Sequence, residues 1–520
     1  MVALNITAAL LLLLVASSEG ARILGVLPPG GKSHFYIGAG YMKALAEAGH
    51  DVTVISSFPL KNPPKNYRDI ELTVDQTEEE YDENMLDYKS SNWFTAPFHM
   101  LYFLYEMFPD GMCGFVLNHP NVVKLLNSDE KFDVVLVQTF ITEALYGFAQ
   151  HFDAPLISFS TLGSSLWTDN LVGTSATPSY AAHFLLSYTD NMSFWQRFYN
   201  TIITAYDKLY YEWRYLPVQK KLYDAAFPNA KLTFEQQMKN VSLVFLNTHF
   251  SLGNPRSYPP NMIDAGGIQI QETKPLPQDL QKYLDDAKDG VIYFCMGSNI
   301  KSTHLPEEKR NAFLKAFSKL KQRVVWKFED ETMLNQPPNL MVRAWLPQND
   351  ILAHPNVKLF ITHGGLLSTT EALYHGIPLI GIPIFGDQPM NVEKAVRGGY
   401  AVLLDYPDIT EQTVEEAIST VLDDPSYSRN AKLVSDRFRD KPMSPKETAV
   451  YWTEYVIRHR GAPHLRTAAL NLSLVQYHLL DVYVAMFVIV LLVAVMNMYL
   501  VKKILLKVRR SSLNRKKKLF

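Results

Sequence analysis

The chain has 520 residues, 47% of them hydrophobic, with 50 basic against 52 acidic side chains and only two cysteines. That is enough apolar material to bury two domain cores, and two cysteines cannot make a disulfide framework. Nine basic residues crowd into positions 502–520, so residues 21–501 keep 41 basic against 51 acidic groups, a net −10. A mildly acidic body without a basic patch or zinc-ligand spacing argues against a nucleic-acid partner.

In chain order, residues 1–20 carry an apolar run from Ala8 to Ala16 followed by small and polar residues, too short for a membrane span. It reads as a cleavable signal peptide, although a basic leading segment is absent, and the mature chain would begin near Ala21. Arg22 to Leu27 is an expected strand, Pro28 to Phe35 a loop, Tyr36 to Ala48 an amphipathic helix and Val52 to Ile55 the next strand. Phe132 to Val137 and Pro155 to Phe159 continue the alternation of strands and helices that marks a parallel sheet. This first domain is expected over 21–253. Residues 254–277, rich in proline and glycine, read as a linker, and the alternation restarts at Val291–Met296 in a second domain over 278–445. A helical segment over 446–480 follows, with its strongest helix at Lys446–His459.

Val482 to Val501 is a 20-residue apolar run, long enough to cross a bilayer. The basic residues behind it favour a cytoplasmic tail over 502–520, and thus a single-pass type I protein with its body in the lumen. The last four residues, Lys517-Lys518-Leu519-Phe520, match the dilysine retrieval signal of endoplasmic-reticulum membrane proteins; a polybasic contact with anionic lipid is compatible with it. Asn191, Asn240 and Asn471 each head an Asn-x-Ser sequon, a glycosylation site if lumenal. Cys113 and Cys295 read as buried thiols.

The most informative stretch runs from Trp345 to Asn391. Trp-Leu-Pro-Gln is followed by the strand-like Val357–Ile361, then Thr-His-Gly-Gly-Leu-Leu-Ser-Thr-Thr-Glu-Ala, then a second strand and Phe-Gly-Asp-Gln-Pro-Met-Asn. In a parallel α/β sheet this order puts the loops at the carboxyl ends of the strands, where ligands bind, and brings a helix N-terminus to a phosphate. Ser368 and Glu371 also have capping-box spacing, which explains the helix start without any ligand. That reading leaves His363-Gly364-Gly365 unexplained, where two absent Cβ atoms would let a bulky anion approach the backbone. It also leaves Asp387-Gln388 unexplained.

The whole stretch closely resembles the signature of the UDP-glycosyltransferases, specifically the membrane-bound animal type, and its Leu-Leu-Ser-Thr variant looks like the arthropod branch. The resemblance implies a GT-B architecture, α/β, with two Rossmann-like domains facing across a cleft plus the C-terminal transmembrane helix. It implies that Trp345 stacks on the uracil and Gln348 bonds to it. His363, Gly364, the Gly365 backbone and Ser368 would hold the diphosphate, Glu371 the ribose, and Asp387 and Gln388 the sugar hydroxyls. Ser298 joins this donor set, and Arg256 matches a position near the sugar carboxylate in vertebrate relatives. Many relatives carry Asn where this chain has Leu367, so one phosphate-side contact is in doubt. No metal or cofactor is expected, since no Asp-x-Asp motif occurs and UDP-sugar is a co-substrate.

Transfer to a hydroxyl needs a base. By the same resemblance that base is His34, at a strand end before Ala-Gly-His-Asp-Val-Thr, while His50 is structural. Relatives place an acid after the strand equivalent to Phe132–Val137, where this chain has Gln138; either Gln138 orients His34 as a neutral partner or Glu143 replaces the acid. Residues 91–115 hold Trp93, Phe94, Phe98, Tyr102, Phe103, Tyr105, Phe108 and Phe115, expected either under the sheet or as a cleft for a lipophilic acceptor.

The expectation is therefore an inverting transferase moving a hexosyl group, glucose first and glucuronic acid second, to a small lipophilic acceptor. A galactosyltransferase acting on a membrane sphingolipid and a silent carrier of UDP-sugar or lipophile are the rivals. Expected partners are the UDP-sugar, the acceptor and membrane lipid through the C-terminal helix, with a homo-oligomer left open.

Overall fold

The computed structural model describes residues 20–73, 94–107, 109–175, 177–331, 333 and 335–517. The expected signal peptide (save Gly20), Trp93, Phe108 and the last three residues of the retrieval motif lie outside them. The chain divides into two compact units, Met1–Arg466 and Thr467–Phe520.

The first unit holds two parallel sheets. The strands of the first are β1 (Arg22–Val26), β2 (Asp51–Ser56), β3 (Tyr67–Glu71), β4 (Val134–Thr139), β5 (Leu156–Ser160), β6 (Val241–Leu246) and β7 (Met262–Asp264), in the order β3-β2-β1-β4-β5-β6-β7. The second sheet orders β8 (Val291–Cys295), β9 (Arg323–Lys327), β10 (Leu340–Arg343), β11 (Val357–Thr362), β12 (Leu379–Gly381) and β13 (Ala401–Leu403) as β10-β9-β8-β11-β12-β13. Every residue of β4, β5, β6 and β8 is buried. That is why these strands read as continuous apolar runs: a parallel sheet is covered on both faces. Each fully buried Val, Leu, Ile or Phe among them stabilises the fold by about 1.5–3 kcal/mol.

In both sheets the strand order reverses beside the first strand, between β1 and β4 and again between β8 and β11. Those switch points open crevices at the carboxyl ends of the strands. Helix α1 (Lys32–Glu47) leaves the first crevice, and it starts four residues earlier than the sequence suggests. Gly31 accepts from the N–H of His34 at 3.0 Å and so draws the segment into the helix. His34 thus stands in the first turn of α1 instead of in a loop. The expected linker is also partly structured, because Met262–Asp264 pair with Val244–Leu246 as β7, a strand too short to show periodicity.

A helical layer covers one side of the first sheet: α2 (Ala96–Met107), α3 (Phe194–Tyr210), a π-helical turn (Tyr211–Tyr215) and α4 (Leu216–Ala226). Leu101, Tyr105, Trp167, Tyr199, Ile203, Tyr211 and Tyr215 form its buried centre. Tyr102, 57% exposed, faces outward, so the aromatic stretch is not simply buried under the sheet.

Behind the second sheet's crevice run α5 (Leu366–Tyr374) and α6 (Gln388–Arg397). Helix α7 (Pro445–Arg458) closes the unit by returning to the first sheet, with Ala449 and Val456 fully buried in the same cluster as Ile23 and Val52. Its Glu454 lies 3.4 Å from His50, which accepts from the Ala21 N–H at 3.1 Å, so His50 is structural. Both cysteines are free and buried. In the second unit, α8 (Leu480–Lys517) contains one stretch, Leu480–Arg515, long and apolar enough to cross a membrane.

Candidate active site

The donor side is built on β8, β11 and α5. The His363 ring fills the gap between two glycines: a Cβ on Gly297 would lie 2.5 Å from its Cε1, and one on Gly365 2.4 Å from its Nε2. Gly364 is left-handed, at φ +81°, and a Cβ there would strike Val392. The two absent Cβ atoms are therefore demanded first by local packing, where the sequence suggested only room for an anion. Burial, aided by Lys327, lowers His363 to about 4, so its ring is neutral near pH 7.

Gly365 is the N-cap of α5 and no side chain caps that helix. The capping-box reading of Ser368 and Glu371 therefore fails, and the first-turn N–H groups and the positive end of the helix dipole remain for a ligand. Ser368 and Glu371 instead meet Gln348, whose amide donates to Glu371 Oε2 at 2.7 Å and to Ser368 Oγ at 3.2 Å. Tyr293 OH donates weakly to the other end of Gln348, at 3.4 Å. Burial raises Glu371 to about 7 against the opposing hydrogen bond from Gln348. Trp345 is 62% exposed and offers a bare indole face nearby in sequence.

Asp387 stands at the N-cap position of α6 without capping a backbone N–H, and its carboxylate accepts from Asn391 at 2.7 Å; the same amide donates to Gly364 O at 3.1 Å. Burial raises Asp387. The Gln388 carbonyl accepts from the N–H groups of Ile384 and Phe385, which fixes the turn and leaves its amide donors uncommitted to that turn. Lys394, two turns on, is lowered to about 8 by burial and by Arg256, with Asp387 and Asp190 opposing. Arg256 is tied down by donating to Ser164 O and Oγ and to Ala182 O, at 3.2–3.3 Å. Ser298 donates to Asn299 Oδ1 at 3.3 Å.

The two sheets' crevices face one another at the start of α1. A Cβ on Gly31 would lie 2.8 Å from Asn299 Nδ2, and Leu367 of α5 packs against the cluster containing Phe35 and Ile37. Tyr36 feels the charges of Lys32 and Glu371, the latter from across the cleft. The Asn-to-Leu departure at 367 is thus an apolar contact between the two domains.

His34, between Gly31 and Tyr36, is half-buried, and desolvation lowers it to about 4. Its ring meets Phe140 edge-on at 4.5 Å, and Phe140 meets Trp167 at 5.3 Å. Its Nδ1 lies 3.4 Å from Thr161 Oγ1. Neither expected partner reaches it. Gln138 is buried at the end of β4 with its Oε1 unsatisfied. Glu143 is fully buried and accepts from Tyr211 OH at 2.7 Å and from Tyr215 OH. Burial raises this carboxyl. Among the described residues no hydrogen bond joins Gln138 or Glu143 to His34.

Thr161, Lys394 and Tyr36 escaped the sequence reading. Thr161 follows β5 at its carboxyl end and Lys394 lies seven residues after Asp387, so both had a positional signal. Of the sequons, Asn191 and Asn471 are exposed, whereas the Asn240 carbonyl groups accept from Arg466 at 2.6 and 3.0 Å.

Two facing Rossmann-type sheets are the architecture of the GT-B glycosyltransferases. The calicheamicin glycosyltransferase CalG4 has this fold: it matches with a TM-score of 0.55 and 16% identity, over 84% of this chain and 99% of its own. The chain belongs to the UDP-glucoronosyl and UDP-glucosyl transferase family, whose model matches residues 24–519. It is 39% identical to UDP-glucosyltransferase 2 of Dactylopius coccus over 91% of both chains. It is 30% identical to UDP-glucuronosyltransferase 1A8 of Homo sapiens, over 93% of this chain and 92% of that one. It is an animal UDP-glycosyltransferase of arthropod-like type.

Proposed function

We propose that this UDP-glycosyltransferase moves glucose from UDP-glucose to a hydroxyl of a small lipophilic acceptor, with inversion. The observation that carries the reading is the start of α1, which bears a neutral His34 and whose Phe35–Ile37 cluster packs against Leu367 in the first turn of α5. With Nδ1–H donating to Thr161, Nε2 is the free base that takes the acceptor proton as its oxygen attacks the anomeric carbon. The uncapped end of α5, with the Gly365 backbone, His363 and Ser368, stabilises the departing diphosphate without a metal. Trp345 and Gln348 hold the uracil, Glu371 the ribose, and Asp387 and Gln388 the sugar.

Glucose is favoured by the likeness to a UDP-glucosyltransferase. Glucuronic acid is the second reading, favoured by Arg256 and Lys394 beside Asp387. The aromatic layer from Phe140 and Trp167 to Tyr105 supports a flat, lipophilic acceptor. The span, the basic tail and the dilysine motif support residence in the endoplasmic-reticulum membrane with a lumenal body and glycans on Asn191 and Asn471.

A UDP-release assay on detergent-solubilised protein tests this, with UDP-glucose, UDP-glucuronic acid and UDP-galactose against a panel of phenols and a ceramide. Release with UDP-glucose that His34→Ala abolishes is expected. Silence with every donor despite UDP binding would sink the catalytic reading.

A further inference from the structure

Just past its first turn, α1 brings an unengaged phenol to the cleft. Tyr36 is 42% exposed, and among the described residues no hydrogen bond holds its hydroxyl. Its ring lies 6.0 Å from that of Phe35, a member of the cluster that Leu367 joins from α5. Glu371 follows Leu367 by one turn on the same face of α5. The helix contact that seats Leu367 therefore sets Tyr36 opposite Glu371. Burial raises Tyr36 above its ordinary value, with Lys32 opposing and the Glu371 charge adding to the rise, so the phenol is protonated near pH 7. On the far side of the cleft, both N–H bonds of the Gln348 amide are already directed at Glu371 Oε2 and Ser368 Oγ. Glu371 Oε1 meets no donor among the described residues.

We propose that Tyr36 is a nucleotide-positioning residue of the first domain, its hydroxyl donating to a ribose hydroxyl whose own proton goes to Glu371. The inference rests on the reading that places Glu371 on the ribose. A ribose hydroxyl is donor and acceptor at once. Ionised Glu371 can only accept, and the neighbouring Gln348 amide has no N–H left over, so the second domain leaves the ribose oxygen without a donor. A protonated phenol facing Glu371 supplies it. Tyr36 also lies two residues from His34 on the same helix. A nucleotide bonded to Tyr36 and Glu371 together therefore fixes the helix that bears the base against the domain that holds the sugar.

The test is calorimetric titration of the full detergent-solubilised chain with UDP, 2′-deoxy-UDP and 3′-deoxy-UDP, comparing the parent with Tyr36→Phe and Glu371→Ala. It is run at pH 8, where Glu371 is largely ionised. Tyr36→Phe should weaken UDP roughly three- to tenfold, the size of one net hydrogen bond. It should leave unchanged the affinity for the analogue that lacks the hydroxyl it serves. Its melting temperature should match the parent's, because the deleted hydroxyl holds nothing in the fold. Unchanged UDP affinity in Tyr36→Phe, alongside a loss in Glu371→Ala, would overturn the role of the phenol and leave Glu371 on the ribose. An equal loss for UDP and both deoxy analogues would also overturn it, by directing the phenol to another part of the nucleotide. UDP binding that Glu371→Ala does not alter would remove the ribose reading itself, and this proposal with it.

Discussion

The Nδ1 of His34 stands 3.4 Å from the hydroxyl oxygen of Thr161, and no carboxylate bonds to that ring among the described residues. A hydroxyl can fix the tautomer and the ring orientation but gives the imidazolium none of the charge stabilisation that an acid supplies. Thr161→Val should therefore lower kcat about tenfold, a fraction of the 10²–10⁴ that a general base contributes. KM for the UDP-sugar should stay unchanged and Thr161→Ser should restore the rate. Unaltered turnover in Thr161→Val would show that the contact orients nothing.

The low value of His34 sets a pH profile. Desolvation holds the ring to about 4, so it is uncharged throughout the range from pH 5 to 8, and kcat at saturating UDP-sugar should fall only toward pH 4. Gln138→Asp brings a carboxylate to the buried end of β4, near the crevice that His34 enters. An anion there favours imidazolium. The acid limb should move to higher pH, with activity at pH 7 similar or higher. A collapse of turnover would instead assign an essential contact to the Gln138 amide.

Glu143 serves the fold. Its two oxygens receive the hydroxyls of Tyr211 and Tyr215, whose rings stack at 5.3 Å across the π-helical turn. Glu143→Ala strands two buried hydroxyls and opens a void. The expected cost is on the order of 3 kcal/mol, from about 1–3 kcal/mol for each unpaired group. A thermal melt should show the loss, while the KM for UDP-sugar stays within about twofold. A melt unchanged from the parent would mean that the tyrosines find other partners.

Why the sequence yields some of this and not the rest follows from distance along the chain. β4, β5, β8 and β11 are local apolar runs, and α5 with its glycines is a contiguous motif, so both could be read from neighbouring residues. The fate of Glu143 depended on tyrosines 68 and 72 residues downstream, and the partner of His34 lies 127 residues away. Pairings of that separation are set by how the strands order in the sheet, which a single sequence does not print. The early start of α1 turned on one carbonyl, that of Gly31, and the three residues of β7 are too few to carry a period. The reading of His363-Gly364-Gly365 was incomplete for a related reason: glycine signals missing volume but not the His363 ring and Val392 that pack into it.

With Glu371 on the ribose, as proposed, donor binding should depend on pH with a definite sign. Burial raises its carboxyl to about 7, so in the unliganded protein it is largely protonated at pH 6 and largely ionised at pH 8. Ribose hydroxyls are donors to the ionised form, which accepts through both oxygens. A ligand that binds only that form loses up to about tenfold in affinity for each pH unit below the group's own value, by proton linkage. The Kd for UDP should therefore rise as pH falls from 7 to 5 and level off above 8. Glu371→Gln cannot titrate, so its Kd should be weaker at pH 8 and flat over that same interval. Calorimetric titration at four pH values distinguishes the cases. A parent protein whose UDP affinity ignores pH between 5 and 8 would remove Glu371 from the ribose site, because a carboxyl poised near neutrality could not bind there without registering its charge.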